Sequence, residues 1–201
     1  MLASGSADCT VKIWDVVEGT HKLTHLHHTD KVQCVDWNPA EEKFLATGGF
    51  DKTVFVLSAD NSGDKLSWHT TSDIESMQWN PANPMTLSVT TESGLLALLD
   101  ARRFTEPIAQ IQAHPSQCVT RFSHRVPGLM ATASNDRTVK LWSVRGEVRE
   151  VVQKTMNVGE LFSCEFCEDS PYTLACGGTE GQVAIWDVEE NEAVVAAFAA
   201  S

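Results

Sequence analysis

The 201-residue sequence predicts an all-β fold, a β-propeller assembled from repeated four-stranded units, on three observations. One short string occurs five times with the positions 14, 57, 99, 142 and 186 aligned, in steps of 43, 42, 43 and 44 residues. Each copy reads as two short aliphatic or β-branched runs around a tight Gly, Asp or Asn turn, the mark of a β-hairpin. Alternating runs flank every hairpin, and no segment carries a convincing helical period.

The elements follow in order. The first copy runs from Leu2 through Ser4-Gly5-Ser6-Ala7-Asp8 to Trp14-Asp15. Leu45 to Ser58, Leu87 to Asp100, Met130 to Ser143 and Leu174 to Asp187 repeat it. An inner strand precedes four of the five, at Val32–Trp37, Ile74–Trp79, Val119–Phe122 and Leu161–Phe166, with Asn38-Pro39 and Asn80-Pro81 as breakers after the first two. An outer strand follows each hairpin, at 22–26, 65–69, 108–113, 148–153 and, for the last unit, Ala193 to Phe198. The single propeller region spans 1–201: a partial blade at 1–26, then blades at about 30–69, 72–113, 117–153 and 159–198. Five blades are visible, the first without its inner strand. The expectation is a fragment of a larger, seven-bladed ring, completed by sequence upstream or by a partner chain.

Four-stranded units of 40–45 residues that end in Trp-Asp resemble the WD40 repeat. The resemblance implies a buried chain of His, Ser or Thr, Asp and Trp in each blade. His114, Thr132, Asp136 and Trp142 supply all four; His28, Thr47 and Asp51 supply three, with Leu57 at the Trp position; Ser4, Asp8 and Trp14 supply three without a His. Val89 with Ser93, and Cys176 with Glu180, replace the polar pair in the third and fifth copies, so packing must hold those blades. More specific strings are His28-Thr29-Asp30-Lys31-Val32-Gln33, Leu99-Asp100-Ala101-Arg102 and Met156 to Phe162 with Cys164 and Cys167. These resemble the periodic tryptophan protein 1 family, which implies a nuclear, nucleolar scaffold of ribosome biogenesis acting on ribosomal RNA genes. The alternative is a WD-repeat substrate receptor or assembly subunit of another complex.

Composition bounds the partners. A net charge of −12 argues against wrapping phosphate backbones and favours basic proteins such as ribosomal proteins or histone tails. Residues 1–100 carry 14 acids against 6 lysines, the remainder 13 acids against 9 bases, so the acidity is graded. Six cysteines without a basic-then-apolar leader indicate a reducing, intracellular compartment and free thiols. The longest apolar run, 193–200, is far below the roughly 18 residues a membrane helix needs, so no membrane partner is expected.

Enzymatic signatures are missing: there is no phosphate loop, nucleophile elbow or H-E-x-x-H. Gly48-Gly49 and Gly177-Gly178 read as blade-turn glycines adopting positive φ. Cys164-x-x-Cys167 lacks the second ligand pair a zinc site needs, and Cys164 reads as core. His21, His25 and His27 read as loop residues beside the network histidine His28. No cofactor, small-molecule substrate or direct nucleic-acid contact is expected. A docking face is expected at the start of each inner strand, at Lys31, Asp73, Cys118 and Glu160, and at the hairpin turns, at Phe50, Asn135, Arg137 and Thr179. Phe50 and Arg137 rank first, because exposed aromatics and arginines are favoured at interaction hot spots.

Overall fold

A computed structural model of the chain describes residues 1–59, 63 and 65–198. These residues form five antiparallel sheets that follow one another along the chain. The first holds β1 (Leu2–Gly5), β2 (Val11–Asp15) and β3 (Thr20–His25). The second holds β4 (Val32–Trp37), β5 (Phe44–Gly49), β6 (Thr53–Ser58) and β7 (Lys65–His69). The third holds β8 (Ile74–Trp79), β9 (Thr86–Thr91), β10 (Leu95–Asp100) and β11 (Arg103–Gln112), and the fourth β12 (Cys118–Phe122), β13 (Leu129–Ser134), β14 (Thr138–Ser143) and β15 (Arg149–Thr155). The fifth holds β16 (Leu161–Phe166), β17 (Thr173–Gly178) and β18 (Val183–Asp187). This all-β array of successive sheets is that of a partial propeller.

The blades stack through their faces, and the inner strands of neighbours meet: β4 lies against β8, β8 against β12 and β12 against β16. Strand alternation sends one set of side chains of each sheet into the blade before and the other into the blade after. Leu96 and Leu98 of the third blade thus share a core with Phe122, Met130 and Trp142 of the fourth. Among the described residues the first blade has no inner strand, so β1 meets β4 directly, and Val11 of β2, Val32 of β4 and Leu45 of β5 form the core between these two blades. Trp79 Nε1 donates to the Asp36 carbonyl of the preceding inner strand at 3.2 Å, whereas the corresponding Trp37 Nε1 is buried with no partner.

Side chains lock the inner strands together at one recurring position. Asp36 accepts the Trp79 N–H at 2.8 Å, Gln78 accepts the Phe122 N–H at 2.5 Å, and Arg121 donates to Glu165 at 3.0 Å. The Asn-Pro breakers are buried caps: Asn38 Oδ1 accepts the Ala40 and Glu41 N–H groups, and Asn80 Oδ1 those of Ala82 and Asn83.

Two sequence expectations are corrected. Residues 193–198 are no outer strand: a 3₁₀ turn, Val188–Glu190, leads into the helix α1, Glu192–Phe198. Asp187 caps the first by accepting the Glu189 N–H, and Asn191 starts the second by accepting the Ala193 N–H. The run Glu192-Ala-Val-Val-Ala-Ala-Phe then favours helix, and Val194 and Phe198 bury as α1 packs on β15. Ala199 and Ala200, the end of the apolar run, lie outside the described residues. Among the described residues no helix is long and apolar enough to cross a membrane.

The paired glycines are the second correction. Neither pair has positive φ; both end a strand, β5 or β17. They are needed for close approach: a Cβ on Gly49 would stand 2.7 Å from the Lys31 carbonyl oxygen, and one on Gly178 2.3 Å from that of Val158. Positive φ falls instead on Cys9, Lys52, Gly94, Arg137 and Gly181, the same turn position in all five hairpins.

Candidate functional site: a polar spine in each blade and the mouth of the inner strands

The fourth blade brings its four polar residues into one chain. Trp142 Nε1 donates to Thr132 Oγ1 at 2.9 Å, Thr132 Oγ1 lies 2.7 Å from His114 Nε2, and His114 Nδ1 lies 2.9 Å from Asp136. Burial lowers the His114 pKa and outweighs the raising influence of Asp136, so the ring is neutral. Its Nδ1–H then donates to Asp136 and its Nε2 accepts from Thr132, one direction of donation from indole to carboxylate. Burial alone would raise the Asp136 carboxyl; hydrogen bonds from Thr138 and His114 hold it below its ordinary value.

The second blade keeps three members. His28 Nδ1 lies 3.0 Å from both Asp51 oxygens and Nε2 lies 2.9 Å from Thr47, while Leu57 is buried where the indole would be. In the first blade Trp14 donates to Ser4 at 2.9 Å, and Asp8 turns outward to the Thr10 hydroxyl, which lowers its pKa. In the third, Val89 is core and the Ser93 hydroxyl pairs with the neighbouring Thr91 hydroxyl, while its N–H donates to the Ser72 side chain. In the fifth, Cys176 is buried opposite Cys164 across the β16–β17 pair, and Glu180 is exposed.

The expected docking positions gather where the hairpin turns meet the starts of the inner strands. One bond recurs there: the turn N–H donates to the carbonyl just before the inner strand, Phe50 to Lys31, Glu92 to Asp73, Asn135 to Gln117 and Thr179 to Glu160. Lys31, Arg137, Glu160 and Thr179 are exposed, and Phe50, Asp73 and Asn135 half-buried. The Lys31 ammonium sits 5.8 Å above the Phe50 ring. Cys118 is a correction: it is the first residue of β12, it is buried, and burial pushes its thiol up to about 12. Gln117 occupies the surface position instead. The register shows why: β4, β8 and β16 each carry a bulge at their second residue, and β12 does not.

Sequence reasoning missed the group at the centre of this face. Glu75, the bulge residue of β8, accepts from Gln117 Nε2 at 2.7 Å and from Gln33 Nε2 at 3.3 Å, and Asn135 Nδ2 donates on to Gln117 at 3.2 Å. Burial raises the Glu75 pKa, and the charges of Glu92 and Asp73 raise it further, while its amide partners pull the other way. Asn135 Oδ1 is buried without a partner. The overlooked signal was a polar residue recurring at 33, 75 and 117.

Among the described residues no group of three His, Cys, Asp or Glu could hold a metal ion. Cys164 is core and Cys167 exposed beyond the strand end, so the two do not converge. The other histidines are not all loop residues: His21 and His25 belong to β3, and His25 is buried with Nε2 unpartnered. Burial raises the thiol pKa values of Cys34, Cys118, Cys164 and Cys176, which keeps those sulfurs protonated and unreactive.

A family model described as "WD domain, G-beta repeat" matches residues 1–15, 19–58 and 105–143. The copies it leaves out, around 87–100 and 174–187, are those with Val89 or Cys176 at the Ser or Thr position of the spine. Periodic tryptophan protein 1 homolog of Drosophila melanogaster is 28% identical over 98% of this chain and 45% of its own length. Periodic tryptophan protein 1 of Saccharomyces cerevisiae is 29% identical over 98% of the chain and 38% of its own length. An uncharacterized WD repeat-containing protein of Schizosaccharomyces pombe is 34% identical over 98% and 39%. The chain therefore spans less than half the length of these relatives. Spine, stacking and sequence agree: the chain carries WD40 repeats at the matched residues and is similar along nearly its whole length to periodic tryptophan protein 1.

Proposed function

We propose that the chain is a non-catalytic docking platform that works in nucleolar ribosome production and holds basic protein segments at the mouth formed by its inner strands. The observation that carries this reading is Glu75. Its half-buried carboxylate is met by two neutral amides, stands near Asp73 and Glu92, and has no cationic partner among the described residues. A lysine or arginine arriving there would gain a charge-assisted bond and relieve the repulsion that raises the Glu75 pKa. Exposed Glu160 and the acidic surplus extend the same preference outward. The nucleolar assignment rests on the resemblance to periodic tryptophan protein 1.

Affinity capture from a nuclear extract tests both parts, with the wild-type chain beside an E75Q/E92Q double variant. Pre-ribosomal or chromatin components should be recovered, and their basic members should weaken in the variant and with added salt. Recovery of neither class sinks the nucleolar role; equal recovery by both chains sinks the carboxylate mouth.

A further inference from the structure

Antiparallel strands turn at both ends of a blade, and the end opposite the hairpin turns differs in charge from the Glu75 mouth. All seven arginines of the sequence lie between positions 102 and 149. Four of them, Arg102, Arg103, Arg125 and Arg145, sit in or beside the β10–β11, β12–β13 and β14–β15 connections at that opposite end. Arg102 is paired with Asp100 and Arg103 with Glu106, whereas Arg145 has no carboxylate partner among the described residues. It is nonetheless held in place: its Nε donates to the Pro127 carbonyl at 2.8 Å, and its guanidinium lies 5.2 Å from the Phe198 ring centroid. Gly128, at φ +83°, makes room for its stem, because a Cβ there would stand 2.5 Å from Arg145 Cγ. Among the described residues the two Nη groups make no hydrogen bond, so a positioned and exposed fork stays open to a partner.

Arg145 borders a groove of about 340 Å³ where the third and fourth blades meet. Leu98 and Ile108 line it from the third blade, and Pro127, Val144 and Val148 from the fourth. Both blades have a neighbour on either side, so both walls are complete. The floor is the edge of the core that Leu98 shares with Trp142, against which Val144 and Val148 pack. Ile108 is 53% exposed. It is a bulge residue of β11, skipped between the Leu98–Ala109 and Leu99–Pro107 pairs. The first blade has Lys22 at the same point, and the fourth has Val151, which packs into the core. We propose that this groove docks an acidic peptide segment of a partner protein: a carboxylate forks onto Arg145, and a neighbouring aliphatic or aromatic side chain covers Ile108 and Val148. The site is separate from the Glu75 mouth and selects the opposite charge. Because the chain as a whole carries −12 and repels acidic segments, the unpaired arginine decides where one can land.

Selection from a random-peptide display library on the immobilised chain, after depletion on an Arg145→Gln/Ile108→Ser chain, tests this, with the affinities of the winning peptides measured by fluorescence anisotropy. The winners should carry an Asp or Glu beside a Leu, Ile or Phe. Their affinity should fall about tenfold or more with Arg145→Gln, the loss of a charge-assisted bond, and severalfold with Ile108→Ser. It should stay within about twofold for Lys12→Gln, which removes the same charge from the first blade. Arg145 and Ile108 are both exposed, so unchanged thermal unfolding of the variants shows that the fold is kept. If Arg145→Gln fails that check, Arg145→Lys, which keeps the charge but cannot fork, takes its place and should also weaken binding. A selection that enriches nothing over the depleted chain overturns the proposal. So do winners without a carboxylate, winners that bind the Arg145→Gln chain unchanged, or a Lys12→Gln chain that weakens binding as much as Arg145→Gln.

Discussion

The second and fourth blades share a backbone plan and differ in how far their polar spine extends. Both tie a histidine to the turn aspartate and to a strand threonine. In the fourth, Thr132 also receives the Trp142 indole; in the second, Leu57 closes the space and Thr47 serves His28 alone. A hydroxyl that both donates and accepts is worth more than one that only donates, since its loss strands two buried groups. The tryptophan that marks these repeats therefore contributes through the residue it bonds as well as through the area it buries.

Replacing each threonine by valine, which keeps the shape, puts the largest weight on that contrast. Thr132→Val strands the Trp142 N–H and the His114 Nε2 and should cost about 3 kcal/mol, whereas Thr47→Val strands one group and should cost about 1 kcal/mol. Denaturant unfolding of both variants measures the difference. Equal losses would mean that the indole bond adds nothing to the spine.

The hairpin turn supplies a contrast of the next size. Its positive-φ position is Gly94 in the third blade and Gly181 in the fifth. A Cβ on Gly94 would lie 2.1 Å from the His114 carbonyl oxygen, while one on Gly181 meets nothing within 4 Å. Gly94→Ala should cost about 2 kcal/mol or more and Gly181→Ala about 1 kcal/mol, the strain of the left-handed region alone. The third blade, which lacks the spine, thus leans on the His114 backbone of its neighbour. A Gly94→Ala variant as stable as Gly181→Ala would remove that link.

The periodicity of Trp14, Leu57, Leu99, Trp142 and Trp186 made the blades legible, because stacked units must repeat both the hairpin and its core positions. Three features escaped it. The tail helix carries the same apolar residues that an outer strand would, and Asn191, which starts it, reads equally well as a turn. Gly48 and Gly177 look like turn glycines until the neighbouring backbone and side chains are placed against them. Cys118 was put on the surface by counting from blades whose inner strand is one bulge residue longer. Glu75 and its amides were visible as a spacing, but what joins them is contact across three blades, which no one repeat contains.

The spine also predicts a response to acid. The folded-state pKa of His114 is below its ordinary value of 6.5, so the folded chain binds fewer protons at this site than the unfolded chain. Stability from this residue is complete above about pH 6.5 and falls with pH down to the lowered folded-state value, where the ring finally charges. The lowered Asp136 pKa adds a second loss below its ordinary value of 3.8. His25 and His27 are lowered as well and titrate in the same direction as His114, so the comparison must be with a His114→Gln variant. That variant should be less stable at neutral pH and lose less on acidification. An unchanged pH slope would place the proton uptake elsewhere.

The smallest effect concerns Arg137, which has φ +70° at the turn position where the third and fifth blades have glycine. An L-residue there carries about 1 kcal/mol of strain, and glycine would relieve it at the cost of a more flexible unfolded chain. Arg137→Gly should therefore be stabilising by about 0.5 kcal/mol, and Lys52→Gly, at φ +62° in the second blade, should match it. Arg137 is exposed, so little packing is lost with the side chain. If Arg137→Gly gains stability while weakening the capture of partners, the strain is maintained for the arginine's sake. If both properties change as they do in Lys52→Gly, the turn tolerates arginine as it tolerates lysine, and the docking face must be sought around Glu75.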